Sequence, residues 1–160
     1  MNSDERLKAA RDQLTLVLSF FSRAETKLSV VLGIDIGMLG FLASRFPKPE
    51  SITIDGWLAL TAFVLFNFLS LWNLYQGSFP QLDGGNSSLI YFREIATRTE
   101  VRFVDEFSTL STESMTKDIL GQVWRNSEIL KKKFDHLVWS YNFMAFSIVP
   151  WMISIVFFVQ

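Results

Sequence analysis

Three arginines, Arg93, Arg98 and Arg102, follow two aromatic residues, Tyr91 and Phe92. A guanidinium grips phosphate through paired N–H donors, and an aromatic face stacks on a planar ring. This stretch is therefore a candidate site for an anionic ligand that carries a base. A second chemical feature is a lone acid. Asp35 is the one charge between Leu28 and Ser44, inside Gly33-Ile-Asp-Ile-Gly37. A carboxylate in hydrocarbon is costly, so Asp35 should face a partner helix, a cavity or another subunit, or carry a proton. Glycines four apart let helix backbones approach closely. Gly33, Asp35 and Gly37 are thus expected either to pack helices together or to line a conducting state. Pro150 removes one backbone hydrogen bond in a later apolar run, where it is expected to kink the helix as a fixed bend or a hinge.

Much other chemistry is excluded. The chain has no Cys, so it has no disulfide, thiolate nucleophile or thiolate metal site, and its one His, His136, forms no paired-His metal motif. There is no phosphate-binding glycine loop, no nucleophile elbow and no motif-placed carboxylate pair. No enzyme activity, cofactor or metal is expected. A net charge of -1 gives no basic field for nucleic acid.

The elements that must position these residues are read from the apolar runs. Of 160 residues, 49% are hydrophobic and only 19% charged, against about 25% charged in a soluble domain. Three runs, 28–44, 57–75 and 137–159, match the roughly 17–25 residues that cross a bilayer. The acids Asp4, Glu5, Asp12 and Glu25 ahead of the first run are unlike a cleaved signal peptide, so that run is read as a retained span. Thirteen Lys and Arg lie in 1–27 and 76–136, against two, Arg45 and Lys48, in 45–56. The positive-inside rule then puts 1–27 and 76–136 in the cytoplasm and 45–56 and Gln160 outside. Pro47 and Pro49 suit the short external turn.

The cytoplasmic parts read as helices. Leu7, Ala10, Leu14, Val17, Leu18 and Phe21 form one stripe, and no Gly or Pro separates it from the first span. After Gly84-Gly85, Leu89, Phe92 and Ala96 share a face. Thr97-Arg-Thr-Glu100 reads as a capping box opening a helix through Phe103, Phe107 and Leu110. Residues 112–136 carry near-heptad apolar spacing and run unbroken into the third span. Helices over 4–27 and 112–136, at about 1.5 Å per residue, have matching lengths and can pair as a stalk. The expectation is an all-α, three-span transmembrane protein, one membrane unit over 1–160, with long helices extending into a cytoplasmic helical bundle. Asn67, Asn73 and Asn142 are expected to hydrogen-bond across spans.

Four segments then resemble a known family: Arg23-Ala-Glu-Thr-Lys-Leu-Ser-Val-Val-Leu-Gly33, Ser88-Leu-Ile-Tyr-Phe-Arg-Glu-Ile-Ala96, Asp118-Ile-Leu-Gly-Gln122 and Asn126-Ser-Glu-Ile-Leu-Lys-Lys-Lys-Phe134. Their order and spacing, over about residues 15 to 159, are similar to the Pycsar effector transmembrane family. The resemblance implies a bacterial inner-membrane antiphage effector. Its activating ligand would be cyclic UMP or cyclic CMP made by a partner pyrimidine cyclase, and it would impair the membrane to stop or kill the infected cell. A homo-oligomer in the lipid bilayer is expected. The rival expectations are a holin-like pore that no nucleotide gates, and a non-conducting membrane anchor for a partner protein.

Overall fold

The computed structural model describes residues 1–80, 85 and 87–158. Gly84, Val159 and Gln160, which enter the expectations above, lie outside the described residues. The structure is 86% helical, with no strand among the described residues. The elements are α1 (Ser3–Ser44), a single 3-10 turn (Pro49–Ser51), α2 (Ile54–Ser78), α3 (Phe92–Ala96), α4 (Glu100–Ser108) and α5 (Thr112–Phe158). α1, α2 and α5 are each long and apolar enough to cross a membrane. The two expected continuities hold: the leader and first span form one 42-residue helix, and residues 112–136 and the third span form one of 47.

The chain divides into two compact units, Met1–Arg23 with Pro80–Lys131, and Ala24–Phe79 with Lys132–Gln160. The second is the membrane unit. Its core follows a 3-4 alternation on every helix. α1 buries Leu28, Val31, Asp35, Met38 and Leu42; α2 buries Phe63, Asn67, Ser70, Leu74 and Gly77; α5 buries Leu137, Ser140, Met144, Ser147 and Ser154. A period near 3.5 keeps one seam facing its partners along the whole span. Two apolar clusters flank a polar middle. Leu28, Val31, Leu74, Leu137 and Met144 form one, and Met38, Leu42, Phe63 and Phe158 the other. The outer faces carry Val30, Ile36, Leu65, Phe68, Phe146 and Val149, all exposed. Apolar residues inside and outside together are what a lipid-solvated bundle requires. At the turn between α1 and α2, the Thr53 hydroxyl caps α2 by accepting from the Gly56 N–H at 3.2 Å.

The other unit holds α3, α4 and the first parts of α1 and α5. The two long helices begin together here: Leu7 and Arg11 border the same small cleft as Thr112 and Met115. The capping expectation is corrected. Thr97 ends α3, and its hydroxyl donates back to the Glu94 carbonyl at 2.7 Å. The N-cap of α4 is Thr99, which accepts from the Arg102 N–H, and Glu100 is the first helical residue rather than the third. Two threonines precede Glu100, and the one adjacent to the helix takes the cap. α4 stops at Ser108, so Leu110 lies in the turn before α5. Leu89 likewise precedes α3 rather than sharing its face.

Candidate functional site

Asp35 sits at the centre of the membrane unit with no exposed surface. α1 directs it inward because it continues the Leu28–Val31 seam by one helical turn. The Ser70 hydroxyl of α2 donates to Asp35 Oδ2 at 2.6 Å, and the Asn67 amide donates to Asp35 Oδ1 at 3.3 Å. Ser70 Oγ also lies 3.0 Å from the Ser140 carbonyl of α5. One carboxyl and one hydroxyl thus join all three spans. The partners are neutral: among the described residues no cation contacts Asp35. Asn67 Oδ1 is buried and unpartnered.

Gly33 and Gly37 face elsewhere. Both are exposed, and a Cβ at either position, or at Gly40, would meet nothing within 4 Å. The Gly33–Gly37 motif and the acid inside it therefore lie on opposite sides of α1. The glycines leave a shallow outer groove, and the acid belongs to the bundle interior. α5 remains helical past Pro150, whose carbonyl accepts from the Ser154 hydroxyl at 2.8 Å. Nearer the second loop, Asn73 Oδ1 lies 3.3 Å from His136 Nδ1, and Lys133 Nζ donates to the Gly77 carbonyl at 3.0 Å. Of the three asparagines, Asn67 and Asn73 do bond across helices. Asn142 lines a groove of about 470 Å³ with Val30, Val138 and Tyr141, whose apolar, exposed lining suits lipid chains.

In the other unit, the three arginines separate by role. Arg98 is nearly buried, and its guanidinium is bonded to the Glu106 carboxylate at 2.8 Å and to the Ser87 and Ser88 carbonyls at 3.0 and 3.3 Å. Arg102 reaches the same Glu106 at 2.7 Å. These hydrogen bonds, that of Arg102 foremost and then that of Arg98, hold the Glu106 carboxyl below its ordinary value. Arg93 lies on α3. Tyr91 and Phe92 pack edge to face with ring centres 5.1 Å apart, and Phe92 is exposed. Arg98 and Arg102 thus converge on a glutamate, and Arg98 pins the Ser87–Ser88 turn.

That turn forms one wall of a cleft of about 340 Å³. α5 supplies the floor, with Asp118, Gly121, Gln122, Trp124 and Arg125. The family of the Pycsar effector protein domain, PycTM, matches residues 9–160. The chain belongs to the Pycsar effector family. No curated protein and no solved structure gives a significant match. As a Pycsar effector it has its role in a Pycsar antiphage defence system, and its three apolar helices make it a membrane protein. Membership implies partnership with a cyclase system and a cyclic nucleotide signal.

Sequence reasoning did not single out Ser70 or Ser140, and it met Gln122 only as the last residue of the Asp118–Gln122 segment that resembles the family. Ser140, Ser147 and Ser154 recur every seven residues, and that heptad of small polar residues was a legible sign of a tightly packed seam.

Proposed function

We propose that this Pycsar effector is a non-enzymatic membrane effector, activated by a cyclic pyrimidine nucleotide, whose three spans rearrange to breach the bacterial inner membrane. The observation that supports this most is the joining of all three spans at Asp35, Ser70 and Ser140. A polar centre shared by every helix is a point where a small displacement leaves several buried groups unpaired at once. Such a bundle favours two discrete arrangements over gradual deformation. α5 carries both the cleft residues 118–125 and Ser140, so ligand and centre act on one helix.

Ligand binding switches the bundle only through differential affinity for the two arrangements, and a shift from 1:99 to 99:1 takes about 5.5 kcal/mol. Subunits docked through the Gly33–Gly37 groove would share that requirement, because several ligands then act on one assembly. N-terminus inside and C-terminus outside is the orientation that the Lys and Arg distribution supports.

The test is entry of an impermeant dye into cells that express the effector with an active pyrimidine cyclase. Dye should enter only when both are active, and purified protein in lipid should bind cyclic UMP or cyclic CMP. Bound nucleotide with intact membranes would reduce the protein to an anchor.

A further inference from the structure

We propose that the cleft between the Gly85–Ser88 turn and α5 is the nucleotide site, with Gln122 reading the base, Trp124 stacking on it and Arg125 meeting the phosphate. The inference rests on the cyclic nucleotide reading and gives it a place. The cleft volume, about 340 Å³, lies in the range of small-ligand pockets, roughly 300–1,000 Å³.

Three observations carry it. First, Gln122 is 6% exposed, lines the cleft, and its side-chain amide makes no hydrogen bond to another described residue. The amide opens onto the cleft, where a ligand can pair with it. One N–H donor beside one carbonyl acceptor complements the carbonyl and N–H edge of uracil and, equally, the amino and ring-nitrogen edge of cytosine. Second, Trp124 is 64% exposed and lines the same cleft, where its indole offers a platform for a planar ring. Arg125, one residue on and held by Glu128 at 3.1 Å, brings the positive charge that a phosphate requires. Third, Gly121 lies mid-helix, where glycine weakens a helix, yet its missing Cβ would meet nothing within 4 Å. No close packing accounts for this glycine. It leaves the floor of the cleft open.

Among the described residues, Gly85, Ser87 and Ser88 make up the turn that walls the cleft. Gly85 takes φ +76 and Ser87 φ 62, and the Ser88 N–H closes the turn on the Gly85 carbonyl at 2.8 Å. A Cβ at Gly85 would lie 2.7 Å from Tyr91 and 2.9 Å from Gln122 Nε2, so only glycine lets the turn approach the amide. Arg98 holds the turn from one side. Asp118 holds it from another by accepting from the Leu89 N–H at 2.8 Å, and Glu94 does so through the Ser87 N–H at 2.9 Å.

Calorimetry of the purified full chain in lipid with cyclic UMP and with cyclic CMP tests the site. Wild-type protein should bind one of them. Trp124→Ala and Gln122→Ala should each weaken binding at least about tenfold. Gly121→Leu, whose Cβ meets nothing within 4 Å and whose longer side chain occupies the cleft, should abolish binding, whereas Gly121→Ala should retain it. Lys117→Ala, which removes an exposed cation on the same helix, should change nothing. Helicity and thermal midpoint by circular dichroism check that each variant is folded. Wild-type binding that survives unchanged in folded Gly121→Leu and Trp124→Ala would overturn the site and leave the functional reading standing. No binding of either nucleotide by wild type would remove the reading itself and this site with it.

Discussion

Ser70 Oγ lies 2.6 Å from Asp35 Oδ2 and 3.0 Å from the Ser140 carbonyl, so one hydroxyl links the first, second and third spans. In lipid no water replaces a lost partner. Asp35→Ala leaves the Ser70 hydroxyl and the Asn67 amide without their acceptor and opens a small void. With interhelical bonds near 0.6 kcal/mol on average and about 1.7 at most, the loss should be about 1–3 kcal/mol. Asp35→Asn, which keeps a polar group of the same shape, should lose less. Unfolding in detergent micelles measures both, and Asp35→Ala as stable as wild type would show that the centre contributes nothing to holding the spans together.

Gly33 and Gly37 face out of the bundle with open space beside them. Paired Gly33→Leu and Gly37→Leu substitutions should therefore leave insertion and monomer folding intact. They should remove the close approach of a second copy. Cross-linking in membranes should shift from oligomer to monomer, and toxicity with an active cyclase should fall with it. Full toxicity in the double variant would mean that the outer groove has no part in assembly.

Gly85→Ala places a methyl group 2.7 Å from Tyr91 in a left-handed conformation. The conformation alone costs about 1–2 kcal/mol for a residue with a Cβ. Tyr91 must also move, so the turn and α3 should loosen together. Amide hydrogen exchange over residues 87–98 should quicken, while the membrane unit stays protected. Unchanged exchange there would show that the turn tolerates the methyl group.

The pairing of Glu106 with Arg102 at 2.7 Å and Arg98 at 2.8 Å makes α4 sensitive to acid. The Glu106 carboxyl is held below its ordinary value of 4.5, first by the Arg102 hydrogen bond. A folded-state value below the unfolded one gives stability that is complete above the unfolded value and is lost as pH falls through the folded one. Protection of residues 98–108 should thus be constant near neutrality and decline below the ordinary glutamate range. Glu106→Gln should flatten that decline. Glu113 shifts the same way beside Lys117, but that pair is exposed and adds little. An equal decline in Glu106→Gln would assign the acid sensitivity to another group.

The sequence revealed the membrane fold far better than the site, for physical reasons. Length and apolarity alone define a span, so α2 was plain from a run without a charge, and the absence of breakers at the entries to the first and third spans foretold that α1 and α5 would continue through them. Asp35 also stood out, because one charge in a hydrocarbon run has no ordinary explanation. Which way it faced was less plain, since the Gly33–Gly37 motif around it drew both into one role. The 3.5-residue seam through Leu28, Val31, Asp35, Met38 and Leu42 separates them. In the other unit the types and spacing of the arginines did not reveal their partners inside the protein. A guanidinium serves a carboxylate or a turn carbonyl as readily as a phosphate, and Arg98 does the first two. The burial of Gln122 is encoded by no local pattern, because the wall of its cleft comes from a turn more than thirty residues earlier in the chain.

The orientation inferred from thirteen cations against two has a direct test, because the chain contains no Cys. Single substitutions at exposed positions, Ser3→Cys, Ser51→Cys and Ser108→Cys, give one reactive thiol each without altering the charge that sets topology. In intact spheroplasts an impermeant maleimide should label Ser51→Cys, in the turn between α1 and α2. It should spare Ser3→Cys and Ser108→Cys until the membrane is permeabilised. The labelling must be done without an active cyclase, since a breached membrane would admit the reagent to every site. Labelling of Ser108→Cys in sealed cells, with Ser51→Cys protected, would invert the protein and put the proposed nucleotide cleft on the side where no cyclase product is made.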